Sequence, residues 1–258
     1  MKKKYFFFDI DGTLTDKNTG KVVHSALSCL HELQANGHFV AIATGRAHYK
    51  ARGFMEQIGL HDMVCCGGGG LVINDELVRN TPLDLEKAKA ILKEEEELGY
   101  GVLLQLNDSV EVYSKNDLFR QQCGPRQEPT EYIIDPNLDY EQLDVIYKMY
   151  FSIPKEDEGK LKLKDTLGNL RYRPEYLMYQ YDAKHEGIVE MMEILNAPLE
   201  DVVVFGDDYN DAVMFDPRWT SIAMGNACQE LKDKADFVTK DNVDDGIYYA
   251  CKKFAWID

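Results

Sequence analysis

Two carboxylates, Asp9 and Asp11, follow the apolar run Tyr5-Phe6-Phe7-Phe8 and precede Gly12-Thr13. In an extended chain an i, i+2 spacing puts both side chains on one side. Two ionised carboxylates at that distance repel, and one takes up a proton unless a cation separates them. A hard divalent ion with oxygen ligands meets that need. A calcium loop opening at Asp9 is excluded, because its sixth and twelfth positions hold Leu14 and Gly20 instead of Gly and Glu. A plain turn closing a strand is the competing reading. Three further polar groups stand at similar punctuation points: Thr44-Gly45-Arg46, Lys184, and Gly206-Asp207-Asp208-Tyr209-Asn210-Asp211.

The elements around these residues explain why they would meet. Tyr5–Phe8 with Ile10, Phe39–Ala43 and Asp201–Phe205 read as strands buried on both faces. Ala26, Leu30 and Leu33 form a helical stripe within His24–Gln34, with Ser25 as its cap and Gly37 as its stop. A second helix runs to about Ile58. Strand, helix, strand, helix implies a parallel sheet with right-handed crossovers, and ligands bind beyond the carboxyl ends of such strands. The acidic clusters then make a magnesium site, completed by waters and a phosphate oxygen. Thr44, with helix N–H groups behind it, suits a phosphate, and Lys184 supplies positive charge. Gly67–Gly70 follows a strand at Met63–Cys66, but Val72 and Ile73 stand where a dinucleotide loop needs its third glycine. The run reads as a tight backbone passage, with lining of the pocket as the alternative.

From Pro82 the pattern changes. Leu85–Leu98 predicts a helix ending at Gly99, and Gly101–Gln105 with Val110–Tyr113 predicts a hairpin. After a polar stretch, Gln121–Pro136, we expect a helix near Tyr140–Lys148, a strand at Met149–Ile153 and a helix near Lys155–Thr166. Asn169–Arg173 and Tyr176–Tyr181 predict a second hairpin around Pro174-Glu175. Hairpins with helices indicate an α+β domain inserted into the first, giving segments 1–81, 82–182 and 183–258. The parallel pattern resumes with a helix opening at Lys184 that carries Ile188, Met191, Met192 and Leu195, and ends with Ser221–Met224, Phe237–Thr239 and a helix at Val243–Lys253.

The chain has 258 residues and a formal charge of −16, from 45 acidic against 29 basic residues. That charge disfavours nonspecific binding to nucleic acid or anionic membranes. Six cysteines are scattered without a Cys-x-x-Cys pair, which points to a reducing compartment. The opening Lys2-Lys3-Lys4 and aromatic run break at Asp9, too short for a signal peptide, and no apolar stretch reaches the length of a membrane span. A cytoplasmic protein is expected.

The motifs Asp9-Ile10-Asp11-Gly12-Thr13, Thr44-Gly45-Arg46, Lys184 and Gly206–Asp211 together resemble those of the haloacid dehalogenase superfamily. The likeness is closest to its Cof-type sugar-phosphate phosphatases with a type-two cap. It implies a Rossmann-like α/β core, an inserted α+β cap that covers the site and selects the leaving group, and Mg²⁺-dependent hydrolysis of small phosphate esters, above all sugar phosphates. By that resemblance Asp9 is the nucleophile that becomes an aspartyl-phosphate. Asp11 is the general acid and base. Mg²⁺ is held by Asp9, the backbone carbonyl of Asp11, and Asp207, while Thr44, the Gly45 amide, Lys184 and Asn210 hold the phosphoryl oxygens. Asp211 orients Lys184 or metal-bound water. Arg46, Arg171, Tyr179 and His185 are candidates to touch the leaving group. Two departures stand out: His185-Glu186 separates Lys184 from Gly187, where the family usually has glycine next, and Gly68-Gly69-Gly70 replaces the usual Asn-Gly-Ala. A phosphomutase of the same superfamily and a non-catalytic sugar-phosphate sensor are the rival readings.

Overall fold

The computed structural model describes residues 2–258. They form two compact units: residues up to Asn80 together with Ala183–Asp258, and Thr81–Asp182.

The first unit begins β1 (Tyr5–Phe8), α1 (His24–Ala35), β2 (Phe39–Ala43), α2 (His48–Gln57) and β3 (Met63–Cys65), followed by β4 (Gly70–Ile73) and β5 (Glu76–Asn80). The intervening unit holds α3 (Leu85–Leu98), β6 (Val102–Gln105), β7 (Glu111–Ser114), α4 (Leu118–Cys123), β8 (Glu131–Ile134), β9 (Lys148–Phe151), β10 (Asn169–Arg173) and β11 (Tyr176–Tyr179). The first unit resumes with α5 (Lys184–Ile194), β12 (Val202–Gly206), β13 (Thr220–Ala223), α6 (Gln229–Lys234), β14 (Phe237–Val238) and α7 (Gly246–Lys253).

Its eight-stranded sheet runs β14-β13-β12-β1-β2-β3-β4-β5 and is parallel from β14 to β3. The aromatic run of β1 sits at its centre for a plain reason. Phe6 and Phe8 pack with Val40, Ile42, Val203 and Phe205 on one face beneath α1 and α7. Phe7 points to the other, against Ile188, Met191 and Met192 of α5. All three phenylalanines are fully buried, and each contributes roughly 1.5–3 kcal/mol by leaving water. The register then positions the chemistry. Phe8 pairs with both Ile42 and Phe205, so Asp9, Thr44 and Asp207 leave the sheet at one edge.

Several expectations shift. Ser25 lies inside the first turn of α1; the cap position is Val23, and the Ser25 hydroxyl finds no hydrogen-bond partner. The antiparallel β4–β5 hairpin was not predicted, because Asn74 and Asp75 make its turn at positive φ without a glycine to mark it. The last helix starts at Gly246, not Val243, since Asp245 at φ 62° interrupts it.

The second unit is a six-stranded sheet, β10-β11-β9-β6-β7-β8, antiparallel except between β7 and β8. Period-two alternation sends Val102, Leu104, Met149, Phe151 and Tyr179 to the face packed with Ala88, Ile91 and Leu92 of α3. Leu103, Tyr150 and Met178 face the other way, with Phe119. Asp84 caps α3 by accepting from the Lys87 amide, and Gly99 ends it in the left-handed conformation. The helix expected near Tyr140–Lys148 is only a 3-10 turn at Tyr140–Gln142, and Lys148 opens β9. The expected Lys155–Thr166 helix is two 3-10 turns, Lys155–Lys160 and Lys164–Thr166, none of whose residues is buried. Without an apolar stripe, nothing holds that segment as a longer helix. β8 lies in the polar stretch Gln121–Pro136, to which no element was assigned, and pairs parallel with β7.

Glu95 of α3 is fully buried in this unit, and neither carboxyl oxygen has a hydrogen-bond partner. Burial, then the neighbouring Glu94, pushes its pKa up to about 8 from an ordinary 4.5, with Arg171 opposing. A raised acid pKa means the folded state keeps the proton that the unfolded chain loses. That stability is complete below pH 4.5 and is lost as pH rises toward 8. Urea unfolding should therefore show the native protein weakening relative to Glu95→Gln by on the order of 3 kcal/mol at pH 7. Parallel pH profiles for the two proteins would show that Glu95 is ionised in the fold.

Candidate active site

Four segments of the first unit build the site, and each has a local reason for its shape. Asp9 ends β1 with its amide bonded to the Phe205 carbonyl at 3.0 Å and is almost fully buried. The chain then turns at Gly12, whose φ is +93°. A Cβ on Gly12 would fall 2.2 Å from Lys17 Cε and 2.3 Å from Asp207 Oδ2, so no side chain fits there. Asn226 donates to the Gly12 carbonyl at 2.8 Å, and Asn242 to that of Thr15 at 2.8 Å, which pins the turn from the far end of the sequence.

Thr44 is buried at the end of β2; its hydroxyl accepts from the Arg46 amide at 3.1 Å, and Gly45 beside it is also buried. Arg46 grips the Asp11 carboxylate with two bonds, Nε to Oδ2 at 2.9 Å and Nη2 to Oδ1 at 2.5 Å. The residue expected at the leaving group thus holds the expected acid, whose side chain stays largely exposed.

Lys184 opens α5 and is buried, with Nζ 2.9 Å from Asp9 Oδ1 and 2.6 Å from Asp211 Oδ1. The glycine run explains how the lysine gets there. Gly67 accepts from the Ala183 amide at 2.8 Å, and Gly68, at φ +105°, has the Ala183 carbonyl 2.2 Å from where a Cβ would be. Gly187 meets Val64 and Gly68 in the same way from the helix side. The two residues between Lys184 and Gly187 are therefore compatible with a close helix start, because Gly187 itself makes the contact with Val64 and Gly68. Arg79 of β5 reinforces the passage, donating to the Gly68 and Gly69 carbonyls and pairing with Glu190 of α5.

Asp207 and Asp211 follow β12. Asp211 accepts the Asp207 and Asp208 amides through Oδ2 at 3.0 and 3.1 Å, while its Oδ1 takes Lys184. Asp208 caps the 3-10 helix Tyr209–Met214, in which Asn210 is half-buried. Thr13 Oγ1 donates to Asp207 Oδ1 at 2.9 Å, so the other oxygen, Oδ2, is left for a cation. That oxygen is buried without an aligned hydrogen bond, and the Lys17 ammonium lies 2.7 Å from it.

Carboxylate oxygens of Asp9, Asp207 and Asp211 lie within 4.8 Å of one another. Burial raises the Asp9 pKa well above the ordinary range, the Asp211 and Asp207 charges add to that, and Lys184 opposes it. Burial and then Asp211 push Asp207 up to about 6, against the pull of Lys17 and Thr13. For Lys184, burial disfavours the charge, but Asp211 and Asp9 outweigh it and keep the ammonium protonated. The donor set fits a hard oxygen-seeking ion: Asp9 and Asp207 offer carboxylate oxygens, whereas Asp211 has committed both of its own. The Asp11 side chain points to Arg46 and is not in this cluster.

The other residues expected at the leaving group have these surroundings within their own units. Arg171 ties its own unit together, donating to Glu158 and to the Pro174 and Ile153 carbonyls. Tyr179 is fully buried in that unit's core, its hydroxyl unpartnered, so it is a packing residue. His185 is partly buried with Nδ1 unpartnered. Thr13 stands in the first motif, but its bond to Asp207 was not foreseen. Lys17, Asn226 and Arg79 were not foreseen, and no local spacing marks them.

The chain matches the haloacid dehalogenase-like hydrolase family over residues 6–251 and belongs to it. YkrA of Bacillus subtilis strain 168 is 30% identical over 254 residues, covering 98% of both chains. The pyridoxal phosphate phosphatase YbhA of Escherichia coli strain K12 is 25% identical over 268 residues, covering 96% of this chain and 97% of the relative. The solved structure of BT1666, a phosphatase of the haloalkanoate (HAD) superfamily from Bacteroides thetaiotaomicron, superposes with a TM-score of 0.84 at 25% identity, over 99% of this chain and 96% of that one. Fold, motifs and relatives agree on a Cof-type phosphatase, a phosphoric monoester hydrolase. No helix among the described residues is long and apolar enough to cross a membrane.

Lys184 is the cation that keeps Asp9 and Asp211 compatible, so Lys184→Met strands two buried carboxylates. Breaking such a pair costs about 3–5 kcal/mol. Thermal unfolding should show that loss, and Lys184→Met/Asp211→Asn should recover part of it. An unchanged melting temperature in the single variant would mean that the buried carboxylates are neutral.

Proposed function

We propose that the protein is a Mg²⁺-dependent phosphatase of small cytoplasmic phosphate esters, chiefly sugar phosphates, working through an aspartyl-phosphate. The observation that carries this reading is Asp9, buried at a strand end between Lys184 and Asp207, with Asp11 two residues on, just before the Gly12 turn. A carboxylate held against an ammonium is oriented for attack, and Thr44, the Gly45 amide, Lys184 and Asn210 supply donors for phosphoryl oxygens.

In the first step an Asp9 oxygen bonds to phosphorus, the ester P–O bond breaks, and Asp11 gives its proton to the leaving oxygen. In the second step water attacks phosphorus, Asp11 takes the water proton, and the Asp9–phosphorus bond breaks to free inorganic phosphate. Arg46 must loosen its grip on Asp11 for the acid to carry its proton. The bound Mg²⁺, held by Asp9, the Asp11 backbone carbonyl and Asp207, would offset the repulsion between carboxylate and phosphate. The inserted unit is read as the cap that selects the leaving group.

Phosphate release from a panel of sugar phosphates, with and without Mg²⁺, tests the reading. Native protein should release phosphate only with metal, Asp9→Asn should abolish release, and Asp11→Asn should slow it by about 10²–10⁴-fold. Conversion of a hexose 6-phosphate to an isomeric phosphate would favour the mutase instead. Full activity in Asp9→Asn would remove the nucleophile assignment.

A further inference from the structure

Lys17 is absorbed by none of the roles above, yet its ammonium enters the centre of the site. Nζ lies 2.7 Å from Asp207 Oδ2 and 3.0 Å from Asp208 Oδ2. Asp207 is fully buried at its side chain, whereas Lys17 is 46% exposed, so the lysine reaches in from the surface. Its backbone is fixed independently of that reach. Asp16 accepts from the Asn18 amide at 2.9 Å and the Thr19 hydroxyl at 2.8 Å, and its carbonyl accepts from Gly20 at 2.8 Å. Gly12 leaves the room, since a Cβ there would strike both Lys17 Cε and Asp207 Oδ2.

Three buried carboxylates gather here, and Lys184 is fully engaged by two of them, Asp9 and Asp211. Asp207 is the remaining one. Thr13 occupies its Oδ1, and the contact at Oδ2 is an ion contact without hydrogen-bond alignment. A half-exposed lysine side chain whose ammonium rests on a buried carboxylate oxygen is a cation that can leave. Its four-carbon stem can carry the charge back to water without moving the turn.

We propose that Lys17 is a displaceable internal counter-cation of Asp207, which stabilises the metal-free protein and competes with the divalent ion for Asp207 Oδ2. The proposal rests on the metal-site reading above and deepens it. Lys17 thereby sets how much free metal is needed before the site fills, trading affinity for a stable metal-free state.

The test is Mg²⁺ binding by titration calorimetry and thermal unfolding on the full chain, for native protein, Lys17→Met, Lys17→Arg and Asp207→Asn. Lys17→Met should lower the melting temperature without metal, tighten the Mg²⁺ dissociation constant at least tenfold, and show a larger melting shift on adding Mg²⁺. Lys17→Arg should stay near native, and Asp207→Asn should lose binding whichever residue stands at position 17. Unchanged or weaker Mg²⁺ binding by Lys17→Met would overturn the proposal, as would an absence of Mg²⁺ binding in both native protein and Lys17→Met. Native protein that binds Mg²⁺, with Lys17→Met binding more tightly, but that hydrolyses no phosphate ester would leave this proposal standing and remove the phosphatase reading.

Discussion

Like charge at short range is the constraint on which the rest of this structure depends. Asp9, Asp207 and Asp211 place three carboxylates together where the protein has excluded most water. Such a cluster survives only if cations or protons offset it. The chain spends a fully buried lysine, Lys184, on two of the three, and that lysine must therefore arrive at one position along one helix. Fold and chemistry meet at this point, because the nucleophile candidate, its ammonium and the orienting Asp211 belong to β1, α5 and the turn after β12.

Backbone close approach is how the lysine arrives. Gly67 and Gly68 let the start of α5 dock on the turn after β3, and Gly187 removes the side chain that would hold the helix away. Arg79 then fastens that turn to the body of α5. The glycine run looks from its composition like a ligand loop, but its work is to seat a helix. Gly12 serves the other side of the cluster, where Asp207 and Lys17 crowd the space that a Cβ would fill. A site of this density is built from absences of side chains as much as from the side chains it displays.

The inserted unit obeys a different economy. Its sheet is held by alternating apolar residues on two faces, and its polar residues are largely turned to its own cohesion. Arg171 spans Glu158 and two carbonyls, and Tyr179 contributes a ring to the core. Both were expected at a leaving group on residue type alone. Residue type does not reveal which partner lies within reach, and an arginine beside a glutamate and open carbonyls is satisfied where it stands.

The sequence alone determined the α/β class, the central strands and the edge at which chemistry collects. Apolar runs buried on both faces have only one common home, and β1, β2 and β12 carry the motifs at their ends. It also marked Asp9, Thr44, Lys184 and Asp207, because each stands where a strand ends or a helix begins, and Asp211 in the acidic run that follows β12. Local reading failed where no apolar period exists, as in Lys155–Thr166, and where a turn lacks glycine, as at Asn74-Asp75. Only the tertiary structure decided who pairs with whom: Arg46 with Asp11, Lys17 with Asp207, Thr13 with Asp207, Asn226 with Gly12. The reason is physical. Strand and helix periodicity is a local property readable over a few residues, whereas a charge pair depends on the distance between atoms that can be two hundred positions apart in the chain, and that distance is set by packing.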